Sequence, residues 1–71
     1  MKIRDFIYHI KHNSVILTLY DLDNDEIIVS CSIGESKHNI NLLRYYDYDI
    51  NYIKCYVNEF LVCIRGVKDE L

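Results

Sequence analysis

Two pairs of short apolar runs, each pair joined by a brief turn, most constrain how this chain can fold. The runs are rich in β-branched and aromatic residues, and in most of them apolar side chains fall at alternate positions, as on a strand. The turn in the first pair is rich in Asp and Asn, whose short side chains bond the local backbone. The pattern predicts two β-hairpins. The predicted strands are residues 15–20, 27–33, 49–57 and 60–65, with turns at 21–26 and 58–59.

The segment before the first hairpin has the spacing of an amphipathic helix. Its apolar residues recur at intervals of three and four, which places them on one face. We therefore predict a helix over residues 2–12. Between the hairpins, Gly34 interrupts the apolar pattern, and Ser36 can cap a short second helix or loop. The apolar face of the first helix comprises Ile3, Phe6, Ile7 and Ile10.

Together these elements predict one α+β domain over residues 1–71, in the order helix, hairpin, short helix or loop, hairpin. The short connections favour antiparallel neighbours, so we expect the N-terminal helix to pack on a four-stranded antiparallel sheet. A chain this short buries only about 60% of its unfolded surface, so marginal stability is expected. Self-association is one way in which small domains compensate.

Composition and charge exclude several classes of protein. The chain is 51% hydrophobic and 27% charged, which excludes a disordered segment. No apolar run approaches the roughly 18 residues of a membrane span. The net charge of −3 disfavours direct nucleic-acid binding and suits a basic protein surface. Since the N-terminus lacks a signal-peptide pattern, we expect a cytoplasmic protein and interpret the closing Lys68-Asp69-Glu70-Leu71 as a coincidental match to a retention signal.

No group of side chains predicts a catalytic or metal site. The cysteines lie in apolar strand runs, where thiols are usually reduced and inert. His9 and His12 are three residues apart, but nothing in the sequence places a third metal ligand beside them. The acidic turn 21–26 begins like a calcium loop but lacks the required Gly and closing Glu. We therefore predict no enzyme, no metal and no cofactor. The cysteines are Cys31, Cys55 and Cys63.

Tyrosine is the most unusual part of the composition, with seven residues. On one continuous strand Tyr48, Tyr52 and Tyr56 project to the same face, and Tyr20 can join them from the first hairpin. Tyrosine suits half-exposed strands in general, but it also supplies large contact area at low entropic cost. We predict a binding stripe on the face that the helix leaves open, with acidic residues steering a basic partner. The predicted partner-binding residues are Tyr20, Tyr48, Tyr52, Tyr56, Asp21, Asp23, Asp25 and Glu26.

Several segments resemble small proteins encoded by phages and prophages of low-GC bacteria. They are the opening Met1-Lys2-Ile3-Arg4-Asp5-Phe6-Ile7, the run Leu17-Thr18-Leu19-Tyr20-Asp21, the spacing Asp49-Ile50-x-x-Ile53, and Phe60-Leu61-Val62-Cys63-Ile64. The richness in Ile, Asn, Tyr and Lys, which have AT-rich codons, agrees with such an origin. About residues 1–20 are also similar to a small acidic anti-CRISPR protein that imitates DNA. That protein is far more acidic and ends in helices, so the resemblance implies a phage inhibitor without DNA mimicry.

These observations lead to one main functional hypothesis and two alternatives. The main hypothesis is a non-catalytic, phage-type binding protein that inhibits a host defence or regulatory protein by occluding its surface. The first alternative is a self-associating module, a homodimer in which two tyrosine stripes pair face to face. The second is an oligomeric sponge for a nucleotide signal, whose phosphates would be held by Arg44, Lys54 and Arg65.

Overall fold

The computed structural model describes residues 1–67, which form three short helices and four strands. The predicted α+β class with two hairpins is confirmed. The predicted charged tail and its ending, residues 68–71, lie outside the described part of the chain. The helices are α1 Ile3–His9, α2 Ile33–Ser36 and α3 Ile40–Leu43, and the strands are β1 Ile16–Asp21, β2 Glu26–Ser32, β3 Tyr52–Tyr56 and β4 Glu59–Ile64.

The sheet is mixed, which corrects the prediction of a purely antiparallel sheet. Its strand order is β2-β1-β4-β3, and β1 pairs in parallel with β4 at the centre, where Leu19 lies opposite Val62. Both hairpins are antiparallel, so β2 and β3 run in the same direction. The chain must therefore return from one end of the sheet to the other between them. Residues 33–51 make this crossover and carry α2 and α3.

Two short helices replace the single one predicted in the crossover. Ser32 Oγ caps α2 by accepting a backbone hydrogen bond at 3.3 Å, and Asn39 Oδ1 caps α3 in the same way at 3.0 Å. The predicted cap, Ser36, is instead the buried last residue of α2, and its Oγ donates to the carbonyl of Ile33 at 2.6 Å. Asn39, a poor residue inside a helix, thus acts as a good residue at its start.

The core lies between one face of the sheet and the helices. The aromatic ring of Phe6 on α1 meets that of Phe60 on β4 edge-on, with centroids 5.2 Å apart. As predicted, the N-terminal helix covers one face of the sheet with its apolar side. The buried core cluster consists of Ile3, Ile7, Leu17, Leu19, Cys31, Ile33, Leu42, Val62 and Ile64.

The first helix is shorter than the predicted 2–12. Lys2 is extended and forms a bridge with Asp49, while Ile10 is extended at the other end. The start of α1 is therefore attached to the segment that leads into β3 instead of continuing the helix. No helix within residues 1–67 is long and apolar enough to cross a bilayer.

Candidate binding surface

Alternating side chains give the sheet two faces, and the helices pack on only one of them. Leu17 and Leu19 point toward the helices, and the intervening positions point away from them. We call the second set the outer face. No helix among residues 1–67 packs on it, because the buried apolar residues of α1, α2 and α3 all belong to the core on the opposite side. The outer face comprises Ile16, Thr18, Tyr20, Ile27, Ser30, Ser32, Tyr52, Lys54, Tyr56, Glu59, Leu61 and Cys63.

In one cross-strand row of the outer face, a cysteine lies between two tyrosines, one on each neighbouring strand. The register pairs Cys63 with Tyr20 on one side and with Tyr52 on the other. Cys63 is only 1% exposed, whereas Tyr52 is 42% exposed. Tyr56, at the end of the same strand, is 56% exposed. The thiol is therefore inaccessible, and the surface that a partner would meet is made of tyrosine rings.

A hydroxyl network holds the middle of the outer face in place. The hydroxyl of Thr18 donates to Glu59 Oε2 at 2.8 Å. Because that hydroxyl has a single proton, the 2.9 Å bond between Thr18 and Ser30 has Ser30 as its donor. The network links β2, β1 and β4 across the sheet, and it fixes the Glu59 carboxylate in a partly buried position.

A lysine supplies a positive charge beside the exposed rings. Lys54 lies between Tyr52 and Tyr56 on β3, and its Nζ is 5.9 Å from the centroid of the Tyr52 ring. A cation at this distance from a ring face is weakly attracted to it. The same row continues through Leu61 on β4 to Thr18 on β1. The β3 side of the outer face thus combines aromatic rings with a positively charged ammonium group that can donate hydrogen bonds.

Tyr48 does not belong to this surface, and its predicted place in the stripe is wrong. Strand β3 begins at Tyr52, and Tyr48 lies in the turns before it. Its ring packs on that of Tyr45 with centroids 5.2 Å apart, and its carbonyl accepts the N–H of Ile3 at 3.1 Å. Tyr48 therefore supports the start of α1 on the helix side. Tyr20 does join Tyr52 and Tyr56 on the outer face, although it is partly buried.

The acidic turn is only partly available for a partner. Asp21 is buried, and its Oδ1 accepts the backbone N–H of Asp23 at 3.0 Å, as in a local Asx turn. Asp23 in turn accepts the N–H of Gly66 at 2.8 Å and pairs with Arg65 at 2.9 Å. The Gly66 hydrogen bond first and Arg65 second hold the pKa of Asp23 below its ordinary value. Of the four predicted acidic contacts, Asp21 and Asp23 thus stabilise the turn, and Asp25 and Glu26 are exposed.

Within residues 1–67, the cysteines and the other predicted ligand-type side chains do not come together as a group. Cys31 is buried in the core, and burial, followed by the nearby Glu35 charge, raises the pKa of its thiol. Residues 1–67 contain no group of three or more metal-ligating side chains close enough to hold an ion. Of the three cations predicted to hold phosphates, Arg65 is engaged by Asp23. Cys55 is an exposed thiol on β3.

Two clefts within residues 1–67 lie on the helix side of the sheet. One cleft of about 400 Å³ runs between the end of α1 and the start of α2, with Lys11 and Lys37 in its lining. A second, of about 470 Å³, lies beside Gly34 and Asn39. Neither cleft contains an outer-face residue. The outer face is therefore separate from both of these clefts.

Sequence reasoning missed part of the outer face. Ile16, Lys54 and Leu61 lie on it beside the tyrosines. Ile16 and Leu61 were not predicted as contact residues, and Lys54 was predicted only as a phosphate-holding residue of the sponge alternative. The alternation of side chains along β4 does predict that Glu59, Leu61 and Cys63 share one face. The rest depended on β4 lying between β1 and β3, which local patterns do not determine.

No family model, curated protein or solved structure matches this chain in comparisons with known proteins.

Proposed function

We propose that this chain is a non-catalytic binding protein that contacts a protein partner through its outer face. The observation that carries the proposal is the exposure of Tyr52 and Tyr56 around Lys54, on a sheet face that no helix of residues 1–67 covers. Tyrosine is enriched among the residues that dominate binding energy at interfaces. It loses little conformational freedom when a partner covers it, because it has only two side-chain torsions.

The shape of this surface supports a macromolecular partner. Small-molecule sites are usually concave, and no outer-face residue lines the two clefts beside α1 and α2. A sheet face of this kind offers an extended patch in which aromatic rings surround a hydrogen-bonded centre. The negative net charge works against a nucleic-acid backbone as the partner.

Charge supports a basic surface on the partner. The chain carries a net charge of −3, and Asp25 and Glu26 are exposed where the turn after β1 leads into β2. Charges at the rim of an interface mainly steer association and select among partners, while they add little affinity. We therefore assign recognition to the tyrosines and steering to the two exposed acids.

The resemblance to phage and prophage proteins supports a class of partner. A non-catalytic phage protein of this size would act on its host by covering a functional surface. We propose that the partner is a host defence or regulatory protein in the bacterial cytoplasm, and that binding inhibits it by occlusion.

The test compares capture of host proteins by three forms of the chain. The double variant Tyr52→Ala/Tyr56→Ala should capture the specific host protein at least about tenfold less than the unmodified chain, since each lost ring is worth roughly 1 kcal/mol or more at an interface. The matched control is Tyr8→Ala, because Tyr8 is 79% exposed but lies on α1, on the other side of the molecule. Quantitative mass spectrometry of the captured proteins provides the comparison.

Titration calorimetry with the purified host protein then measures the affinity of each form. Circular dichroism establishes that the variants are folded, which is expected because both mutated rings are exposed. Equal capture by the double variant and the unmodified chain would contradict the assignment of this surface. Loss of capture in the Tyr8→Ala control alone would move the contact to the helix side.

A further inference from the structure

The free side of β3 is an edge of the sheet at which another strand can pair. Strand β3 pairs with β4 on one side only and ends the sheet. In a hairpin closed by a two-residue turn, the flanking pair, here Tyr56 and Glu59, exchanges both backbone hydrogen bonds. Alternation then directs the N–H and C=O groups of Ile53 and Cys55 away from β4. These groups form an open template for another strand.

The two edges of the sheet differ in how well they are protected. On the opposite edge, β2 contains an irregularity in register at the point where Leu19 and Tyr20 meet it. Such bulges twist an edge away from pairing. Strand β3 has a regular register from Tyr52 to Tyr56 and contains no proline. Its neighbour Val57, the first residue of the β3–β4 turn, is an apolar side chain that is 99% exposed.

We propose that two copies of this chain form a homodimer by antiparallel pairing of β3 with β3, with the two-fold axis at Cys55. A second copy fits this edge because the sequence is complementary to itself in that register. Ile53 of each copy lies opposite Val57 of the other, so the most exposed apolar residue gains an apolar neighbour. Lys54 lies opposite Tyr56, where ammonium and ring attract each other.

The neighbouring registers are less favourable. An axis at Lys54 would place the two ammonium groups directly opposite each other, and like charges in that position destabilise a strand pair. An axis at Ile53 would leave Val57 and Tyr56 outside the paired segment and would place Asn51 opposite Cys55. The register centred on Cys55 therefore pairs the outward-facing backbone groups of Cys55 with each other and brings the exposed Val57 beside Ile53.

The dimer would extend the outer face across the two-fold axis. Two four-stranded sheets would join into one of eight strands, and Lys54 and Tyr56 from both copies would lie together at its middle. The inference itself stands on the free edge and does not require the proposed function. Dimerisation is measured without any host protein, so its failure and the failure of partner capture are separate results.

The first measurement is oligomeric state together with amide hydrogen exchange. Light scattering should show dimer formation as the concentration rises toward about 1 mM, the weak end of specific association. The amides of Ile53 and Cys55 should become protected as the dimer forms. The amide of Lys54 should be protected at every concentration, because it faces β4. A monomer at all concentrations, with rapid exchange at Ile53 and Cys55, overturns the proposal.

The second measurement tests the register through a matched pair of substitutions and a crosslink. Val57→Lys should raise the dimer dissociation constant about tenfold or more, while Ile27→Lys, at a 64% exposed residue on β2, should leave it unchanged. Directly opposed cysteines in a hydrogen-bonded pair have Cα atoms about 5.5 Å apart, within disulfide range. Copper–phenanthroline, as the oxidant that takes up two electrons, should join Cys55 to Cys55. A dimer that resists this crosslink, or that Val57→Lys leaves intact, overturns the proposal.

Discussion

Replacing Leu19 by alanine tests whether the helix side of the sheet carries the stability of this protein. Leu19 is fully buried on β1, opposite Val29 on one neighbouring strand and Val62 on the other. Removing a leucine side chain from such a position leaves a closed cavity and costs about 3–4 kcal/mol. A chain of 71 residues has a total unfolding free energy of roughly 4–10 kcal/mol. Leu19→Ala should therefore remove a third or more of the stability.

The matched control is Leu61→Ala on the adjacent strand. Leu61 points to the outer face and is only partly buried. The space left by its side chain opens to water instead of forming a closed cavity, so we expect a loss of about 1–1.5 kcal/mol. The same chemical change thus has two different costs, and the difference between them reports how open the outer face is.

Urea unfolding followed by circular dichroism measures both losses. With a slope of about 1 kcal/mol per molar urea, Leu19→Ala should lower the midpoint by about 3 M and Leu61→Ala by about 1 M. If Leu19→Ala does not fold, Val62→Ala gives the same comparison with a smaller deletion. Equal losses for Leu19→Ala and Leu61→Ala would refute the reasoning, because they would mean that the outer face is packed as tightly as the core.

Three further predictions concern single contacts. Asn58 has a φ of 60° in the β3–β4 turn, so Asn58→Ala should destabilise the protein by about 1 kcal/mol, and Asn58→Gly should not, in thermal unfolding. Because the pKa of Asp23 is lowered, its contribution to the unfolding free energy is present above its ordinary pKa of 3.8 and is lost as the pH falls through the lowered value. Asp23→Asn should therefore weaken the dependence of the unfolding free energy on pH in this acidic range. The raised pKa of Cys31 has the opposite sign, so stability should fall as the pH rises above 9.0, and Cys31→Ala should reduce that fall.

The sequence determined the hairpins locally but not how they join. Within a hairpin, alternation and a short turn are enough to predict the pairing, and both pairs were predicted. The parallel contact between β1 and β4 joins residues more than forty positions apart, such as Leu17 and Phe60. A local signal for it did exist, because residues 60–64 are apolar without interruption, a pattern typical of strands inside a parallel sheet, although the helices of residues 1–67 cover only one face of β4. The alternation of side chains between the two faces is the same in a central strand and in an edge strand, so it could not place this run at the centre of the sheet.

The tyrosines show why spacing alone was insufficient for the site. A separation of four residues places Tyr48 and Tyr52 on the same face only if the strand is continuous between them. The chain instead makes successive turns around Tyr45 and Tyr48, and Ile50 donates its N–H to Met1 at 2.8 Å before β3 begins. The bond to the N-terminus is a long-range contact, and no pattern within residues 44–52 predicts it.

The location of the helices on one face of the sheet links stability to binding in this protein. A domain of 71 residues buries a smaller fraction of its surface than a larger domain does, so its folded state has little reserve. A partner that binds only the folded chain, present at 100 times its dissociation constant, adds about 2.7 kcal/mol. That gain is close to the expected cost of Leu19→Ala. Covering the outer face or the β3 edge would therefore offset a defect in the core. For that reason, the core variants belong in experiments on the free, dilute chain. The tyrosine and Val57 variants belong in experiments on the complex.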